Sequence, residues 1–443
     1  MVRLLIGKGV IIFVLIILSC DFKEQNSLPV YEDCNPIFVN GYTDKASYRP
    51  GEVIEAFLNF KSNLAPCQLT ISKIDGAKVF TIDTQTIIQT QPSASASIDG
   101  FDYTSSIKIP VPTTLKSGIY LIENAIPFIV KSTTQVDLMV VYPSNTAAAY
   151  ATSGGHSFYD KSDRADRISF HRPVAVQALS LHCLNWFLTM PDIKIGYVSD
   201  MDMDDFSNIS NAKVLVIVGH SEYWTRKARL NFDKHIINGK HAIVLSGNTM
   251  WWQVRYSQSS DQLICYKDAV ADTEQDVLLK TINWYESSLQ YPILSSIGAD
   301  FNYGGYGIYA DSGWDGFKIV NPQSPLLKGL GFSMGDILDL RSGEYDGSPV
   351  SYFENGIPVL DKNKLGFYKV ELIGFDKGSR LGNETIGTFI AFQKTETSGV
   401  VVNTASYSWC SDAGMGGTDG SQIKIITRNA IDLLLKGQSV FLK

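Results

Sequence analysis

The sequence predicts an open, mostly parallel α/β sheet with insertions, preceded by an all-β sandwich. Two observations carry this prediction. Short segments rich in β-branched and aromatic residues alternate with turn signals up to about residue 131. Strand-like and helix-like patterns then alternate from Val136 to Leu245, as expected for parallel strands joined by helical crossovers. A short apolar run near the N-terminus adds that the folded part begins after Cys20.

The first region contains short strands at the spacing of a β-sandwich of immunoglobulin-like type. Turn signals such as Arg49-Pro50-Gly51 and Lys116-Ser117-Gly118 separate them. We therefore place a β-sandwich domain at residues 34–133. Its predicted strands are Val53–Phe60, Cys67–Ile74, Lys78–Thr84, Ser105–Ile109, Ile119–Ile122 and Phe128–Val130.

The second region is predicted to form one α/β domain over residues 134–443. Its strands are continuous apolar runs such as Val214–Val218, because a central parallel strand is covered on both faces. Thr225 can cap a helix over Arg226–Asn238 that ends at Gly239. The aromatic-rich stretch 251–392 is expected to contribute insertions and further strands. The other predicted elements are strands Val136–Val141, Ile193–Val198, Ala242–Leu245 and Val400–Asn403, and helices Val174–Leu188 and Ile423–Leu435.

The N-terminal segment resembles a bacterial lipoprotein signal peptide. Arg3 and Lys8 precede an apolar run from Val10 to Leu18, which is shorter than the roughly 20 residues of a membrane span. The run ends next to Cys20 in a lipobox-like context. We predict a signal peptide at 1–19, lipidation of Cys20, a linker at 20–33, and a location in the bacterial cell envelope on the periplasmic or outer-surface side. A cleaved secretory peptide with an incidental cysteine is the alternative.

Composition favours large hydrophobic cores and argues against nucleic-acid binding. Aromatic residues make up 11% of the chain and charged residues 19%. Without Arg3 and Lys8 the formal net charge changes from −7 to −9, and no cluster of Lys and Arg offsets it locally. We therefore expect no nucleic-acid partner.

Five cysteines follow Cys20. Cys34 and Cys67 both lie in the β region, where an oxidising compartment permits a disulfide between them. No pair has the spacing of a thiolate zinc site. The remaining three lie in apolar contexts and are predicted to be small core residues: Cys183, Cys265 and Cys410.

Polar and aromatic side chains follow two of the predicted strands. Gly219–Trp224 (GHSEYW) comes after Val214–Val218, and Ser246–Trp252 (SGNTMWW) comes after Ala242–Leu245. The carboxyl ends of parallel strands meet at one edge of a sheet, where ligands bind in open α/β proteins. The sequence therefore predicts a functional site at this edge.

Two familiar motifs are incomplete here. Gly219-His220-Ser221 begins like the nucleophile elbow of a serine hydrolase, but Tyr223 occupies the position of its final glycine, so a Ser221 nucleophile is a weaker alternative. The acidic run 200–205 lacks the glycine and glutamate of a calcium loop. It is more simply read as acidic residues at a helix start after a strand.

Five segments, in this order, resemble the large (β) subunit of N,N-dimethylformamidase. They are Pro143–Thr146, Ser169–Pro173, Gly219–Trp224, Ser246–Trp252 and Ser406–Cys410. The resemblance spans about residues 136–443, and the preceding sandwich also suits that family. It implies an amidotransferase-like α/β fold carrying one mononuclear iron(III), whose activated water hydrolyses a small amide.

The resemblance also implies the iron ligands. They would be Tyr223 in GHSEYW, Tyr266 in Cys265–Asp268, and Glu344 in Ser342–Gly347. Phenolate and carboxylate oxygens are hard donors that suit iron(III), and a trivalent ion can hold a tyrosine deprotonated far below its normal pKa of about 10.

Two further residues of GHSEYW are candidates for catalysis. His220 and Glu222 could orient a ligand or transfer a proton. Near its metal glutamate the family has a histidine, whereas this chain has Ser342 and Gly343 there and no histidine after His241.

The function expected from these features is metal-dependent hydrolysis of a non-peptide C–N amide bond by a lipid-anchored extracytoplasmic protein. Its expected partners are a small amide substrate, the membrane, and an oligomeric copy or a small second subunit. The alternative from another class is a surface-binding lipoprotein that keeps the fold without metal and binds a glycan or small molecule through its aromatic residues.

Overall fold

The structure, a computed structural model, describes residues 31–160, 164–307 and 316–442. The predicted signal peptide and Cys20 lie outside these ranges. A β-rich region up to Val130 is followed by a mixed α/β region that starts at Val136. No helix within the described ranges is long and apolar enough to cross a membrane.

Two packed sheets enclose one hydrophobic core in the β-rich region. In β4, every second side chain from Ile54 to Phe60 is buried, because successive side chains of a strand point to opposite faces. The immunoglobulin-like topology stays a prediction. The elements are β1 (Glu32–Asp33), β2 (Phe38–Thr43), β3 (Ser47–Tyr48), β4 (Val53–Phe60), β5 (Pro66–Lys73), β6 (Lys78–Gln85), α1 (Ala96–Asp99), β7 (Ile107–Pro110), β8 (Gly118–Ile122) and β9 (Ile126–Val130).

A disulfide joins Cys34, just before β2, to Cys67 in β5, with the two Cα atoms 5.1 Å apart. Both residues are fully buried in the core between the two sheets. The other cysteines of the described ranges are buried free thiols: Cys183, Cys265 and Cys410.

The α/β region is built on an 11-stranded sheet and a smaller four-stranded sheet. Its strands are β10 (Val136–Tyr142), β11 (Arg167–Ser169), β12 (Ile195–Ser199), β13 (Ala212–Gly219), β14 (Tyr223–Thr225), β15 (His241–Ser246), β16 (Trp252–Tyr256), β17 (Gln262–Ile264), β18 (Gly305–Tyr306), β19 (Gly316–Ile319), β20 (Ile337–Asp339), β21 (Glu344–Gly347), β22 (Val350–Glu354), β23 (Ile357–Leu360), β24 (Lys369–Arg380), β25 (Asn383–Gln393) and β26 (Val400–Asn403). Its helices are α2 (Ser144–Tyr150), α3 (Leu181–Phe187), α4 (Arg226–Ile237), α5 (Leu294–Ile297), α6 (Phe301–Gly304), α7 (Lys362–Leu365) and α8 (Gly420–Leu435).

Half of the large sheet is parallel, in the order β12-β10-β13-β15-β26. Relative to the chain this is the order 2-1-3-4-5, in which the chain reverses direction across the sheet between β10 and β13. Ligands of doubly wound sheets bind at such a switch point, outside the carboxyl ends of the strands. The segments after β10, β13 and β15 are therefore the ones placed to form a site.

Apolar layers cover both faces of the parallel strands. Val214, Val216 and Val218 of β13 face a core that includes α3 and α8, whereas Leu215 and Ile217 face a core that includes α4. Burial on both faces explains why these strands are continuous apolar runs in the sequence.

The other half of the large sheet is antiparallel, so the sheet is not mostly parallel as predicted. The long hairpin of β24 and β25 extends the sheet beyond β26. Strands β18 and β19 both pair with β24, and β21 pairs with β18. Leu381 and Gly382 at the hairpin tip both have positive φ (51° and 80°), which suits a tight hairpin turn between antiparallel strands. This hairpin lies in the stretch that the sequence marked only as insertions and further strands.

The predicted helix over Val174–Leu188 is wrong in its first half. The α-helix covers only Leu181–Phe187, after a single 3₁₀ turn at Ala178–Ser180. The amide of Gln177 makes two hydrogen bonds to the backbone of His220, and its peptide N–H donates to the Tyr142 hydroxyl. These tertiary contacts hold Gln177 in an extended conformation, and the segment before it has no regular secondary structure despite its helical apolar spacing.

Candidate functional site

The site begins where β13 ends. Gly219 has a φ of +70°, and a Cβ there would lie 2.5 Å from the side-chain oxygen of Gln177. Gln177 accepts from the peptide N–H of His220 (3.0 Å) and donates to its carbonyl (2.8 Å). Glycine is required because only it permits this conformation and this close approach. The turn delivers His220 and Glu222 to the carboxyl edge of the sheet.

A buried histidine lies between two carboxylates. His220 Nε2 is 3.3 Å from Glu222 Oε2 and 3.5 Å from Glu344 Oε2, while its Nδ1 is 3.0 Å from the Gly247 carbonyl. Asn248 donates from Nδ2 to Glu344 (3.2 Å) and lies 3.5 Å from Glu222. His220 and Glu222 are buried, and the Glu344 side chain is 17% exposed. Residues from three separate parts of the chain therefore form one acid–base cluster.

The electrostatics of the cluster favour an imidazolium beside a carboxylate. Burial lowers the pKa of His220, but hydrogen bonding and attraction to Glu222, with a contribution from Glu344, outweigh it and raise the pKa to about 9. Burial raises the pKa of Glu222, but contact with His220 outweighs this and lowers it. The pKa of Glu344 is raised, mainly by burial. At neutral pH, His220 is thus a proton donor and Glu222 an acceptor.

Three phenols complete the cluster. Tyr150 donates to Glu222 Oε2 (3.0 Å), Tyr159 donates to Glu222 at 2.7 Å from both oxygens, and Tyr223 donates to the Tyr159 hydroxyl (2.8 Å). Burial and the Glu222 charge raise the pKa of all three above its ordinary value, so they are neutral donors. The rings of Tyr150 and Tyr159 stack 4.2 Å apart and are exposed, whereas Tyr223 is buried. The cluster therefore contains two solvent-exposed phenols and one buried phenol.

Sequence reasoning missed both Tyr150 and Tyr159. Tyr150 is the last residue of α2, which directly follows β10, a parallel neighbour of β13. Its position after that strand could have indicated that it lies at the same edge of the sheet as His220. Tyr159 lies in an irregular loop, and no local pattern marks it.

Tyr266, another predicted iron ligand, has a hydrogen-bond partner of its own. Its hydroxyl accepts a hydrogen bond from Arg167 (2.8 Å). Within the described ranges no hydrogen bond joins it to Tyr223 or Glu344. Tyr223 and Glu344 are themselves connected only indirectly, through Tyr159, Glu222 and His220.

The next residue, Lys267, points toward the phenols instead. It has a φ of +55°. Its ammonium lies 3.9 Å from the centre of the Tyr159 ring, 4.7 Å from Trp252 and 5.3 Å from Tyr223. It donates to the Phe158 carbonyl at 3.1 Å. Lys267 therefore places a positive charge against these three aromatic rings.

The histidine next to Glu344 belongs to another part of the chain. At Gly343, a Cβ would lie 2.1 Å from the hydroxyl oxygen of Tyr407, so the Tyr407 ring occupies the space of a side chain there. Ser342 donates to the Glu344 carbonyl instead of facing its carboxylate. His220, which is distant in sequence, provides the imidazole next to Glu344. The family pattern had led us to expect a histidine close to Glu344 in the sequence.

The alternative nucleophile Ser221 is not arranged for catalysis. Its hydroxyl is fully buried and accepts a hydrogen bond from Trp224 Nε1 (2.9 Å). In the part of the chain that the structure describes, no histidine hydrogen-bonds to it. The serine-hydrolase reading therefore lacks its activating base.

A buried ion pair fixes the loop that carries Tyr266 and Lys267. Arg255 contacts both oxygens of Asp272 at 2.9 Å, and Asp272 also accepts from the peptide N–H (2.6 Å) and hydroxyl (2.7 Å) of Thr281. Burial alone would raise the pKa of Asp272, but these hydrogen bonds outweigh it and hold the pKa well below its usual range. The loop is thereby attached to β16.

Replacing Asp272 with asparagine should lower the free energy of unfolding by about 2 kcal/mol at pH 7, since it removes hydrogen bonds to a charged group. A depressed carboxyl pKa contributes stability above the unfolded pKa of about 4, and that contribution falls as the pH drops toward the folded value. The difference between wild type and Asp272→Asn should therefore shrink by about 1 kcal/mol at pH 3. Urea unfolding at both pH values measures it. Glu274→Gln is the control, because Glu274 lies 3.7 Å from Arg255 and is partly exposed; an equal loss there would contradict the role of Asp272.

The donor chemistry of the site suits a hard cation only if the phenols take part. No three His, Cys, Asp or Glu side chains in the described ranges are placed to hold a metal ion by themselves. Phenol and carboxylate oxygens do converge around Glu222, at separations of 2.7 to 3.0 Å. Hard oxygen donors of this kind fit iron(III). Of the three residues implied by the family pattern, Tyr223 belongs to this group of oxygens and Glu344 lies next to His220. The ligand set of Tyr223, Tyr266 and Glu344 stays a prediction.

Fold and site together define an α/β protein with a histidine–carboxylate–phenol site at the carboxyl ends of parallel strands. The chain belongs to the family described as N,N-dimethylformamidase beta subunit-like, C-terminal, whose model matches residues 74–419. The match includes every site residue described above and begins inside the β-rich region. The suspected family is thus confirmed.

The chain was also compared with solved structures and with curated proteins. A crystal structure from Bacteroides uniformis ATCC 8492, described as a ThuA-like protein, aligns with 70% of this chain and 98% of its own at 9% identity, with a TM-score of 0.32. No curated protein matches the chain.

Proposed function

We propose that this protein hydrolyses the C–N bond of a small linear amide. The observation that carries the proposal is the buried cluster of His220, Glu222 and Glu344 at the carboxyl edge of the sheet, in a chain of a dimethylformamidase-like family. Amide hydrolysis needs an acceptor for a proton of the attacking water and a donor for the departing amine. The cluster contains both.

The residues divide these tasks by their charges. His220, held as an imidazolium between two carboxylates, is the donor for the leaving nitrogen. Glu222, which contact with His220 keeps charged, is the carboxylate that accepts a proton from the attacking water. The Nδ2 group of Asn248 donates toward both Glu344 and Glu222 and so holds the two carboxylates next to each other. Tyr150 and Tyr159 donate to Glu222 and keep its charge from facing open solvent.

We also propose one iron(III) as the cofactor, supported by family membership and by the convergence of hard oxygen donors. When bound, such an ion polarises the amide carbonyl and lowers the pKa of water. Its proposed ligands are Tyr223, Tyr266 and Glu344, the three residues that the family pattern implies.

The test is an assay of the purified full-length protein for amine or ammonia release from formamide, acetamide and N,N-dimethylformamide, with iron measured in the same sample. Release above the buffer rate from at least one amide supports the proposal. No release from an iron-loaded, folded sample would contradict it and favour the non-catalytic binding protein. Addition of a small subunit is a second arm of the assay, because the family is named for a beta subunit.

We further propose that the protein is anchored to the bacterial cell envelope through a lipid on Cys20. The support is the apolar run followed by cysteine in the sequence. Cys20→Ser is expected to move the protein from the membrane fraction to the soluble fraction and to abolish incorporation of labelled palmitate. Cys183→Ser, which alters a buried thiol, is the control and should stay with the membrane. Unchanged membrane association of Cys20→Ser would refute the anchor but leave the enzyme proposal untouched.

A further inference from the structure

We infer that Arg172 is a positioning residue for the acid–base cluster, because its guanidinium fixes the segment that presents the hydroxyls of Tyr150 and Tyr159 to Glu222. The inference rests on the proposed function and deepens it. Ser169–Pro173 is one of the five segments that carry the family resemblance, yet the proposed reaction uses none of its residues. Its arginine acts through the two phenols.

The Arg172 side chain is a buried charge. It is only 1% exposed. Burial lowers the pKa of the guanidinium to about 10, which still leaves it charged at neutral pH. Within the described ranges no carboxylate forms an ion pair with it. A buried charge of this kind is tolerated only when its N–H groups are hydrogen-bonded, so the groups that accept from it are held in place.

Five backbone carbonyls surround this guanidinium, and four of them belong to the chain around the two phenols. The contacts are Nη2 to Ala148 (2.7 Å), Nη1 to Ala151 (2.9 Å), Ser153 (2.6 Å) and His156 (3.4 Å), and Nε to Ser169 (3.0 Å). Ala148 and Ala151 lie on either side of Tyr150 at the end of α2. His156 lies shortly before Tyr159 in the loop that follows. One planar group thus joins the last turn of α2 to that loop.

This junction decides whether both phenols reach the same carboxylate. Tyr150 donates to Glu222 at 3.0 Å and Tyr159 at 2.7 Å, and their rings stack 4.2 Å apart. The loop between them closes where the Phe158 N–H donates to the Ala149 carbonyl (3.0 Å). The guanidinium binds carbonyls inside this closed loop, so a shorter or differently shaped cation would let the loop and both rings shift.

The loop is also attached to the β-rich region. The Ser97 N–H in α1 donates to the Gly154 carbonyl at 3.1 Å. Gly154 has a φ of +83°, and a Cβ there would lie 2.5 Å from the Ser97 nitrogen. A side chain at this position would therefore displace the loop while the Arg172 side chain stays unaltered. Gly154 thus offers a second, independent way to move the two phenols.

The test is hydrolysis of the best amide substrate by the purified full-length protein with Arg172→Lys, which keeps the buried charge but loses the planar fork of donors. Arg229→Lys is the matched control. Arg229 is also fully buried and also donates to backbone carbonyls, but those carbonyls belong to Tyr291 and Pro292. Each variant is made both in wild type and in a protein that carries Tyr150→Phe together with Tyr159→Phe, and circular dichroism confirms that it is folded. Gly154→Ala repeats the displacement and replaces Arg172→Lys if that variant does not fold.

We expect Arg172→Lys to lower kcat at least tenfold with KM within threefold of wild type, because Glu222 acts in the transition state. Gly154→Ala should show the same pattern, whereas folded Arg229→Lys should keep kcat within threefold. In the protein without the two hydroxyls, Arg172→Lys should lower kcat less than twofold further, because no phenol is left to position. A purely structural arginine would lower kcat by the same factor in both proteins.

Chymotrypsin cleavage after residues 150 and 159 measures the position of the loop without any activity. Cleavage should be at least fivefold faster in Arg172→Lys than in Arg229→Lys. Equal cleavage rates, or a tenfold loss of kcat that persists in the protein without the two hydroxyls, would overturn the inference. A wild type that hydrolyses no amide would overturn the proposed function instead, and the cleavage rates would then decide alone whether Arg172 holds the loop.

Discussion

Replacing His220 with glutamine is expected to slow amide hydrolysis about 10²- to 10⁴-fold, the usual contribution of a positioned proton donor or acceptor. Glutamine can still donate a hydrogen bond toward Glu222 and Glu344, but it cannot release a proton to the leaving amine. The loss should appear in kcat more than in KM, because the proton moves in the transition state. Steady-state kinetics on the best amide substrate measure it.

The matched control for this variant is His182→Gln. His182 is exposed and pairs with Asp412, away from the cluster. It should keep the wild-type rate. If His220→Gln retained most of its activity while remaining folded, the imidazolium would not be the proton donor, and the division of roles proposed above would fail.

Glu222→Gln separates the effect of charge from the effect of shape in the same cluster. It keeps an acceptor oxygen for Tyr159 but removes the negative charge next to His220.

Replacing both Cys34 and Cys67 with alanine is expected to lower the free energy of unfolding by about 4 kcal/mol. The disulfide closes a loop with a sequence separation of 33 residues, and in the chain-entropy model a loop of that size restricts the unfolded chain by roughly this amount. Both residues are buried between the two sheets, so the loss is not offset by solvation of the new side chains. Urea unfolding followed by circular dichroism, with the transition of the β-rich region analysed separately, measures the change.

Reduction provides the control for that prediction. Wild type unfolded in the presence of a thiol reductant should lose the same stability as the double alanine variant, and the variant itself should not respond to the reductant. Equal unfolding midpoints for oxidised wild type and the double variant would show that the bridge does not stabilise the domain.

Part of the site could be predicted because it depends on short stretches of chain. A run such as Val214–Val218 is apolar at every position, so it must lie in a sheet covered on both faces, and whatever follows it must emerge at the sheet edge. That reasoning located His220 and Glu222 correctly at the carboxyl end of β13. The same reasoning gave the helix capped by Thr225, whose hydroxyl accepts from the Ala228 N–H.

Other parts could not be predicted because long-range contacts decide them. The segment before Ala178 has helical apolar spacing, yet it forms no helix, because Gln177 binds the backbone of His220, 43 residues away. The long β24–β25 hairpin makes half of the large sheet antiparallel, although the stretch that contains it shows no regular alternation with helices.

By itself the sequence determined the family, the alternation of strands and helices, and the two residues that emerge directly after β13, since each of these is a property of consecutive residues. Only the tertiary structure decided which oxygens meet. Tyr266 follows β17 and its hydroxyl binds Arg167, whereas Tyr159 reaches Glu222 from an irregular loop, because the strand order and the ring stacking with Tyr150 set these side-chain positions. Side-chain direction at a site assembled from separate segments depends on packing between them, and no local sequence pattern encodes that packing.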